Sequence, residues 1–137
     1  MKKIILLTSN QYAPYFIDFL RQQHFLVKVF VEEESKVLQS YFKQLFPTVD
    51  VDIFNEKKLK NTLTSDVNLV VFGFKPLIKN DILNKVELAC NIHFGKLPEA
   101  KGPDPLFWAI KNGDKEITIT IHRLTQEIDS GPILTER

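Results

Sequence analysis

The chain has 137 residues, of which 44% are hydrophobic and 26% are charged, so it is long enough for one domain with its own core and its composition argues against disorder. The net charge of +1 gives no general electrostatic basis for binding nucleic acid or an acidic membrane. The single cysteine, Cys90, excludes a disulfide framework and a cysteine zinc cluster.

The N-terminal residues resemble a signal peptide only loosely. Lys2 and Lys3 precede the apolar run 4–7, but this run is too short and polar residues 8–10 interrupt it. No apolar run approaches the length of a membrane span. A lone cysteine also fits a reducing compartment, so we expect a soluble cytoplasmic protein with no membrane partner.

The first half of the chain alternates between predicted strands and helices. Residues 3–7 form a continuous apolar run, typical of a buried parallel strand, and residues 8–10 supply a turn and a helix cap. A helix with one apolar face then follows, because Ala13, Phe16, Ile17 and Leu20 recur at helical spacing.

Four more elements are predicted in this half. They are a strand over 25–31, a helix with Ser35 as its cap and Leu38, Tyr41, Phe42 and Leu45 as its core stripe, a short strand over 49–54, and a polar helix over 55–63. The lysines of the last helix, at 57, 58 and 60, predict a solvated face, with a phosphate contact as the alternative.

The second half continues the alternation. The predicted elements are strands over 67–72, 88–94 and 117–122, and helices over 81–86 and 105–112. We expect Asp104 to cap the last helix, and Phe107 and Trp108 to pack it on the sheet. In the strand over 117–122 three isoleucines alternate with polar residues, which predicts one polar face. Residues 128–133 return through a Gly-Pro turn. The fold class is therefore α/β, with a Rossmann-like, mostly parallel sheet flanked by helices.

Two common kinds of site are not indicated. The turn at 8–11 has no glycine, so the first strand is followed by neither a dinucleotide fingerprint nor a Walker loop. His24, His93 and His122 are too far apart in sequence to suggest a local metal motif, and we expect no metal.

The best candidate for chemistry is the pair Asn91 and His93. Because side chains alternate along a strand, both emerge on one side at a strand's end, where ligands bind in open α/β sheets. Asn91 can donate a hydrogen bond to a developing oxyanion. Asp129 lies in a loop that can turn back toward the sheet, where it would orient a histidine and raise its pKa. On their own, His93 can equally be a structural residue and Asp129 a turn residue.

Four motifs in order extend this pattern. They are Asn91-Ile92-His93 with Leu97-Pro98, then Lys101-Gly102-x-x-Pro105-Leu106-Phe107-Trp108-Ala109-Ile110-x-Asn112-Gly113, then Thr118-x-Thr120-Ile121-His122-Arg123-Leu124, and finally Glu127-Ile128-Asp129-Ser130-Gly131-Pro132-Ile133-Leu134. The chain resembles the folate-dependent formyltransferases, in the branch that contains methionyl-tRNA formyltransferase and the sugar N-formyltransferases.

The resemblance implies transfer of a formyl group from 10-formyltetrahydrofolate to a primary amine, on methionyl-tRNA or an amino sugar. Asn91, His93 and Asp129 match the family's catalytic residues. The folate-binding segments map to Phe72, Gly73, Phe74, Lys75, Pro76, Leu77 and Ile78, and to Gln126, Glu127 and Ile128. The near-neutral charge does not support tRNA as a partner.

The chain also departs from the family pattern. Glu99 and Ala100 stand where a basic and an aromatic residue usually follow Leu97-Pro98, which bears on the acceptor contacts. The chain also ends soon after Leu134, so residues 1–137 are interpreted as one catalytic domain shortened at its C-terminus, whose exposed apolar surface would promote association. The alternatives are a folate-binding module without catalysis and a hydrolase that releases formate.

Overall fold

Seven strands form one mixed sheet in the order β3-β2-β1-β4-β5-β6-β7. The computed structural model describes residues 2–137. The strands are β1 Lys3–Thr8, β2 Leu26–Val31, β3 Val51–Ile53, β4 Val67–Phe72, β5 Ala89–His93, β6 Thr120–Arg123 and β7 Ile133–Glu136. The helices are α1 Ala13–Gln22, α2 Lys36–Leu45, α3 Glu56–Thr62, α4 Asn80–Leu83 and α5 Pro105–Asn112, and a 3-10 turn spans Glu33–Ser35.

The first five strands are parallel, and the last two are antiparallel additions at one edge. Parallel strands need crossover connections, which the intervening helices supply. The α/β, mostly parallel fold class predicted from the sequence is therefore confirmed.

The sheet buries a different apolar core on each side. On one side, Leu59 of α3 and Ile82 of α4 pack over alternating residues of β1 and β4. We call this the α3 side. On the other side, which we call the α1 side, Ile17 of α1 and Phe42 of α2 cover the alternate residues of the same strands. Burial on both sides explains why β1 and β4 are continuous apolar runs.

The α3 side changes from aliphatic to polar toward β5 and β6. Ala89 packs in the α3-side core, and the two-residue alternation places Asn91 and His93 on the same side. Asn91 pairs with His122 across β5 and β6, while His93 pairs with Thr120. Four polar side chains therefore lie together at one end of the α3 side of the sheet, which is otherwise apolar.

The strand predicted over 117–122 needs correction. It begins at Thr120, and Ile117 and Ile119 are each 38% exposed, whereas Thr120 and His122 are buried. The polar face is thus the buried one, because these side chains have partners there. Thr120 Oγ1 donates to the Gly95 carbonyl at 2.7 Å.

The prediction that Phe107 and Trp108 are core residues is wrong. They are 58% and 52% exposed, and no residue of α5 is buried. A cleft of about 490 Å³ lies between the helix and the loop over 94–101. Lys111 instead places its ammonium group 4.7 Å from the centre of the Trp108 ring.

The caps predicted at Ser35 and Asp104 and the stripe predicted for α2 are also only partly right. Ser35 and Asp104 occupy cap positions but make no side-chain hydrogen bond there, whereas Asn55, which was not predicted as a cap, accepts from the Lys58 N–H and caps α3. In α2 only Phe42 is fully buried, since this helix covers the outer strands β2 and β3.

The lysines of α3 are largely engaged in ion pairs at the surface. Lys58 pairs with Asp52, and Lys60 pairs with Glu56 and Asp81. These pairs agree with the solvated face predicted for the helix.

Gly131 lies at the closest approach between the β6–β7 connection and β6. A Cβ atom built on it would lie 1.7 Å from the Arg123 carbonyl oxygen and 2.7 Å from its carbon. These are main-chain atoms of a paired strand, which cannot move aside as a flexible side chain can.

We expect Gly131→Ala to destabilise the fold by about 3 kcal/mol or more, because main-chain atoms must shift to accept the methyl group. Gly113→Ala is the matched control: its φ is +74° and nothing lies within 4 Å of the added Cβ, so only the backbone cost of about 1 kcal/mol is expected. Urea unfolding of the two variants measures the free energy of unfolding that each has lost, and equal losses would contradict the prediction.

Candidate active site

The site lies at the end of β5, where two polar side chains point to the same side of the sheet. His93 is buried and Asn91 is half-buried. Their placement confirms the geometry expected from strand alternation. It also puts them at the carboxyl edge of the parallel strands, where open α/β sheets bind ligands.

Asp129 reaches this pair from the loop between β6 and β7. One carboxylate oxygen, Oδ1, lies 3.7 Å from His93 Nδ1 and 3.5 Å from His122 Nε2. The other oxygen, Oδ2, accepts a hydrogen bond of 2.8 Å from the Gly102 N–H. The Asp129 side chain is only 9% exposed. The three residues predicted from the sequence are therefore brought together.

The backbone of Asp129 is held in an uncommon conformation. Its φ is +51°, a value that non-glycine residues rarely adopt, although aspartate is among the more tolerant. Such strain persists only where surrounding contacts fix the residue, as Gly102 and His122 do here. The carboxylate is thus directed inward at a conformational cost.

His122 is the residue that sequence reasoning did not include in the site. Its Nδ1 faces the Arg123 carbonyl at 2.9 Å and therefore carries a proton, and its Nε2 lies 3.2 Å from Asn91 Nδ2. The signal was its position on the polar face of a predicted strand. What the sequence could not show is that this strand pairs with β5 in the register that places His122 opposite Asn91.

The charge state of His122 determines how Asn91 is oriented. With a neutral ring, Nε2 accepts from the Asn91 amide. With a protonated ring, Nε2 donates toward Asp129, and Asn91 must present its oxygen instead. The histidine therefore links the carboxylate to the amide.

The pKa values of His122 and Asp129 shift in opposite directions. Asp129 raises the pKa of His122 above its ordinary 6.5, against the opposing effect of burial, and the Arg123 carbonyl adds to the rise. Burial favours a higher pKa for Asp129, but His122 and the Gly102 N–H together hold the pKa of the carboxyl below its ordinary 3.8. Each group therefore favours the charged form of the other.

A loop over 94–104 closes over the site. His93 Nε2 donates to the Ala100 carbonyl, which fixes the ring and its tautomer. Gly95 makes the tight path possible, because a Cβ there would lie 2.7 Å from the Ala100 Cβ and 3.0 Å from the Pro105 Cβ. Lys101 Nζ donates to Ser130 Oγ at 3.3 Å, so the loop also contacts the segment that carries Asp129.

The two segments predicted to bind folate lie near each other. The Asn80 N–H, just beyond the first segment, donates to Gln126 Oε1 of the second segment at 3.2 Å. Leu77 is 57% exposed and Ile128 is 62% exposed, while Ile78 belongs to the core. The segments thus offer exposed apolar side chains, and one of them, Ile128, directly precedes Asp129 in the chain.

Chemically, the site offers an amide, two imidazoles and a carboxylate in one partly closed place. Asn91 keeps a second N–H for a ligand, because an amide nitrogen has two donors. Donors beside a carboxylate can stabilise an oxyanion and move a proton.

Within residues 2–137, no group of three or more His, Cys, Asp and Glu side chains is arranged to hold a metal ion. No helix in this part of the chain is long and apolar enough to cross a membrane.

Comparison with protein families gives a match over almost the whole chain. The model of the formyl transferase family matches residues 2–137. Methionyl-tRNA formyltransferase of Malacoplasma penetrans is 28% identical over 149 aligned positions, which cover 99% of this chain and 47% of that protein. The corresponding protein of Fervidobacterium nodosum is 25% identical, with 98% and 47% covered. The chain therefore spans about half the length of these curated relatives.

Solved structures show the same fold. A 4-N formyltransferase from Francisella tularensis is 27% identical with a TM-score of 0.73, covering 99% of this chain and 55% of that one. A sugar 3N-formyl transferase, WlaRD, solved in the presence of dTDP and 5-N-formyl-THF, is 25% identical with a TM-score of 0.75, covering 100% and 51%.

We expect an NMR titration to give His122 a pKa above 6.5, because the Asp129 carboxylate stabilises the imidazolium. In Asp129→Asn that pKa should fall below the wild-type value, since burial remains while the charge is lost. An unchanged His122 pKa in Asp129→Asn would refute the contact.

The contact between His122 and Asp129 also predicts how the stability of the fold depends on pH. Its contribution is complete between about pH 3.8 and 6.5, the ordinary pKa values of the two groups. It is lost as the pH rises through the raised pKa of His122, and it is lost as the pH falls through the lowered pKa of Asp129. Urea unfolding across pH should show a smaller stability difference between wild type and Asp129→Asn on either side of this window, and a constant difference would contradict the linkage.

Proposed function

The chain belongs to the formyl transferase family, and we propose that it transfers a formyl group from 10-formyltetrahydrofolate to the primary amine of an acceptor, with Asn91, His93 and Asp129 as its catalytic residues. The observation that supports this assignment is their convergence. Two residues come from the end of β5 and the third from a loop about 36 positions later in the chain, yet the carboxylate lies 3.7 Å from the His93 ring.

In the proposed reaction the neutral amine attacks the formyl carbon. A C–N bond to the acceptor forms, and the formyl oxygen becomes an oxyanion in the tetrahedral intermediate. The free N–H of Asn91 and the Nε2–H of His93, which now donates to the Ala100 carbonyl, are the donors available to stabilise that oxyanion.

Collapse of the intermediate breaks the bond between the formyl carbon and the folate nitrogen N10. The attacking amine must lose a proton and N10 must gain one, so the net proton transfer is from one nitrogen to the other. Asp129, directly or through water, accepts the first proton and returns it to the leaving nitrogen. His122 holds Asp129 ionised in the resting site, which keeps it ready to accept a proton.

The donor is proposed to bind between the two segments that contain Leu77 and Ile128. Their exposed apolar side chains suit the flat faces of a pterin, and main-chain groups of the segments would bind its polar edge. The WlaRD structure, with 5-N-formyl-THF present, supports a folate-type donor for this family.

The acceptor is proposed to be a small amine or an amino sugar, with methionyl-tRNA as the alternative. Relatives of both kinds match the chain. The net charge of +1 favours the smaller acceptors, because tRNA binding depends on neutralising phosphates.

To test the assignment, formyl transfer from 10-formyltetrahydrofolate is assayed on amines, amino sugars and methionyl-tRNA with the full natural protein. His93→Ala and Asp129→Asn should each lower turnover by about two orders of magnitude or more, because each removes a group that acts in the transition state. His24→Asn and Asp114→Asn, which alter exposed residues of the same types, should leave it unchanged.

Measurements of folate binding and formate release distinguish formyl transfer from the alternative functions. Binding of 5-formyltetrahydrofolate without turnover on any amine would favour a folate-binding module. Formate release without an amine would indicate a hydrolase. If His93→Ala unfolds the protein while the specific activity of the folded fraction stays normal, His93 is structural and the assignment of its role fails.

A further inference from the structure

Large apolar side chains are exposed on two helices of the fold, α1 and α5. On α1 the most exposed are Tyr15 and Phe19, at 83% and 55%. On α5 four side chains are between 45% and 71% exposed, namely Leu106, Phe107, Trp108 and Ile110. Single exposed apolar side chains are normal at a protein surface, whereas a contiguous patch of them marks an interaction site.

Aromatic contacts connect the exposed side chains of α1 with those of α5. Phe19 stacks on Phe16 with ring centroids 6.5 Å apart, and Phe16 meets the edge of Phe72 at 6.2 Å. Phe72 in turn contacts Phe94 at 5.5 Å. Phe94 and Trp108 line the same cleft, so the series of rings crosses the α1 side of the sheet from one helix to the other. We call these rings and the exposed apolar side chains of both helices the aromatic face.

Helix α5 is apolar on every side for most of its length and yet is not covered. All its residues from 105 to 110 are apolar, so they leave no polar stripe for the solvent side. A helix that is apolar all round is normally buried. No residue of α5 is buried, however. The helix therefore needs a partner surface that residues 2–137 of one copy do not supply.

The accessible surface of the chain is larger than its mass predicts. It amounts to 8612 Å² for a mass of 15.9 kDa. A folded monomer of that mass exposes about 7,400 Å², so the excess is about 1,200 Å². Each partner in a stable interface of standard size buries about 800 Å². The excess area is thus sufficient for a stable dimer.

The charges at the two ends of α5 indicate which partner fits. Asp104 is exposed at the N-terminal end and makes no capping hydrogen bond with its side chain, and Lys111 is exposed in the last turn. A two-fold axis perpendicular to α5 relates two antiparallel copies of it. Each Asp104 then lies opposite Lys111 of the other copy. The net charge of +1 adds little repulsion between copies.

We propose that the aromatic face is the interface of a homodimer of this chain, in which α5 of each copy packs antiparallel against α5 of the other. Phe107 and Trp108 are buried in this interface, and the pairs of Asp104 with Lys111 set its direction. The catalytic candidates Asn91 and His93 lie on the other, α3 side of the sheet and are not part of it. The inference does not depend on the proposed function.

Sedimentation equilibrium of the 137-residue chain measures this association, and a monomer–dimer equilibrium without larger species is expected. Trp108→Glu and Ile110→Glu should each raise the dissociation constant at least about tenfold, because each buries a charge in an apolar contact. Val37→Glu is the matched control, since Val37 lies on α2 and is 78% exposed, and it should dimerise as wild type does. Circular dichroism and urea unfolding establish that all three variants are folded.

Charge reversal tests the antiparallel arrangement itself. Asp104→Lys and Lys111→Glu should each weaken the dimer by about fivefold or more, because each places like charges opposite one another twice. The double variant D104K/K111E restores opposite charges at both places. Its dissociation constant should therefore return to within about twofold of the wild-type value. Non-specific association of apolar surfaces would show no such recovery.

The proposal is overturned if the chain stays monomeric at about 100 μM, if it forms larger aggregates instead of a dimer, or if Trp108→Glu and Ile110→Glu associate as wild type does. It also fails if D104K/K111E associates no better than the single variants. In the full natural protein, a loss of unfolding free energy in Trp108→Glu without self-association of the wild type would show that another segment of the same polypeptide covers the aromatic face, which would overturn the proposal as well.

Discussion

The contact between the Asp129 carboxylate and two imidazoles is the interaction on which the site depends. A carboxylate that is almost fully enclosed is stable only when donors surround it, and His122 and the Gly102 N–H provide them. These partners come from β6 and from the loop after β5, so the contact holds together parts of the chain that are distant in sequence. It also explains why a polar cluster can exist on a side of the sheet that is otherwise an aliphatic core.

The sheet places these groups through its register. The parallel strands carry the core, and the antiparallel addition of β6 brings a second polar row against the first. Because residues alternate between the two sides, the same arrangement that buries Leu7 and Val71 directs Asn91 and His93 toward one ligand region.

Much of this could be predicted from local patterns. The continuous apolar run of β4 was predicted with its observed bounds, and strand alternation placed Asn91 beside His93. The exposure of Trp108 was not predictable, because it depends on a cleft between α5 and a loop rather than on helical periodicity. The pairing of His122 with Asn91 is a contact between distant strands. The Ala100 carbonyl and the Gly102 N–H are main-chain groups, which every residue has and which no sequence pattern marks. The catalytic roles of Asn91, His93 and Asp129 stay a prediction.

The loop over 94–104 has a consequence for affinity. Its Ala100 carbonyl accepts the proton of His93 Nε2, and its Gly102 N–H donates to Asp129. Under the proposed function, these main-chain groups of the resting protein occupy hydrogen-bonding positions on His93 and Asp129 that a bound substrate would need. Binding then exchanges one set of hydrogen bonds for another, and the observed affinity is the difference between the two sets. Substitutions in this loop can therefore tighten or weaken substrate binding without touching the substrate.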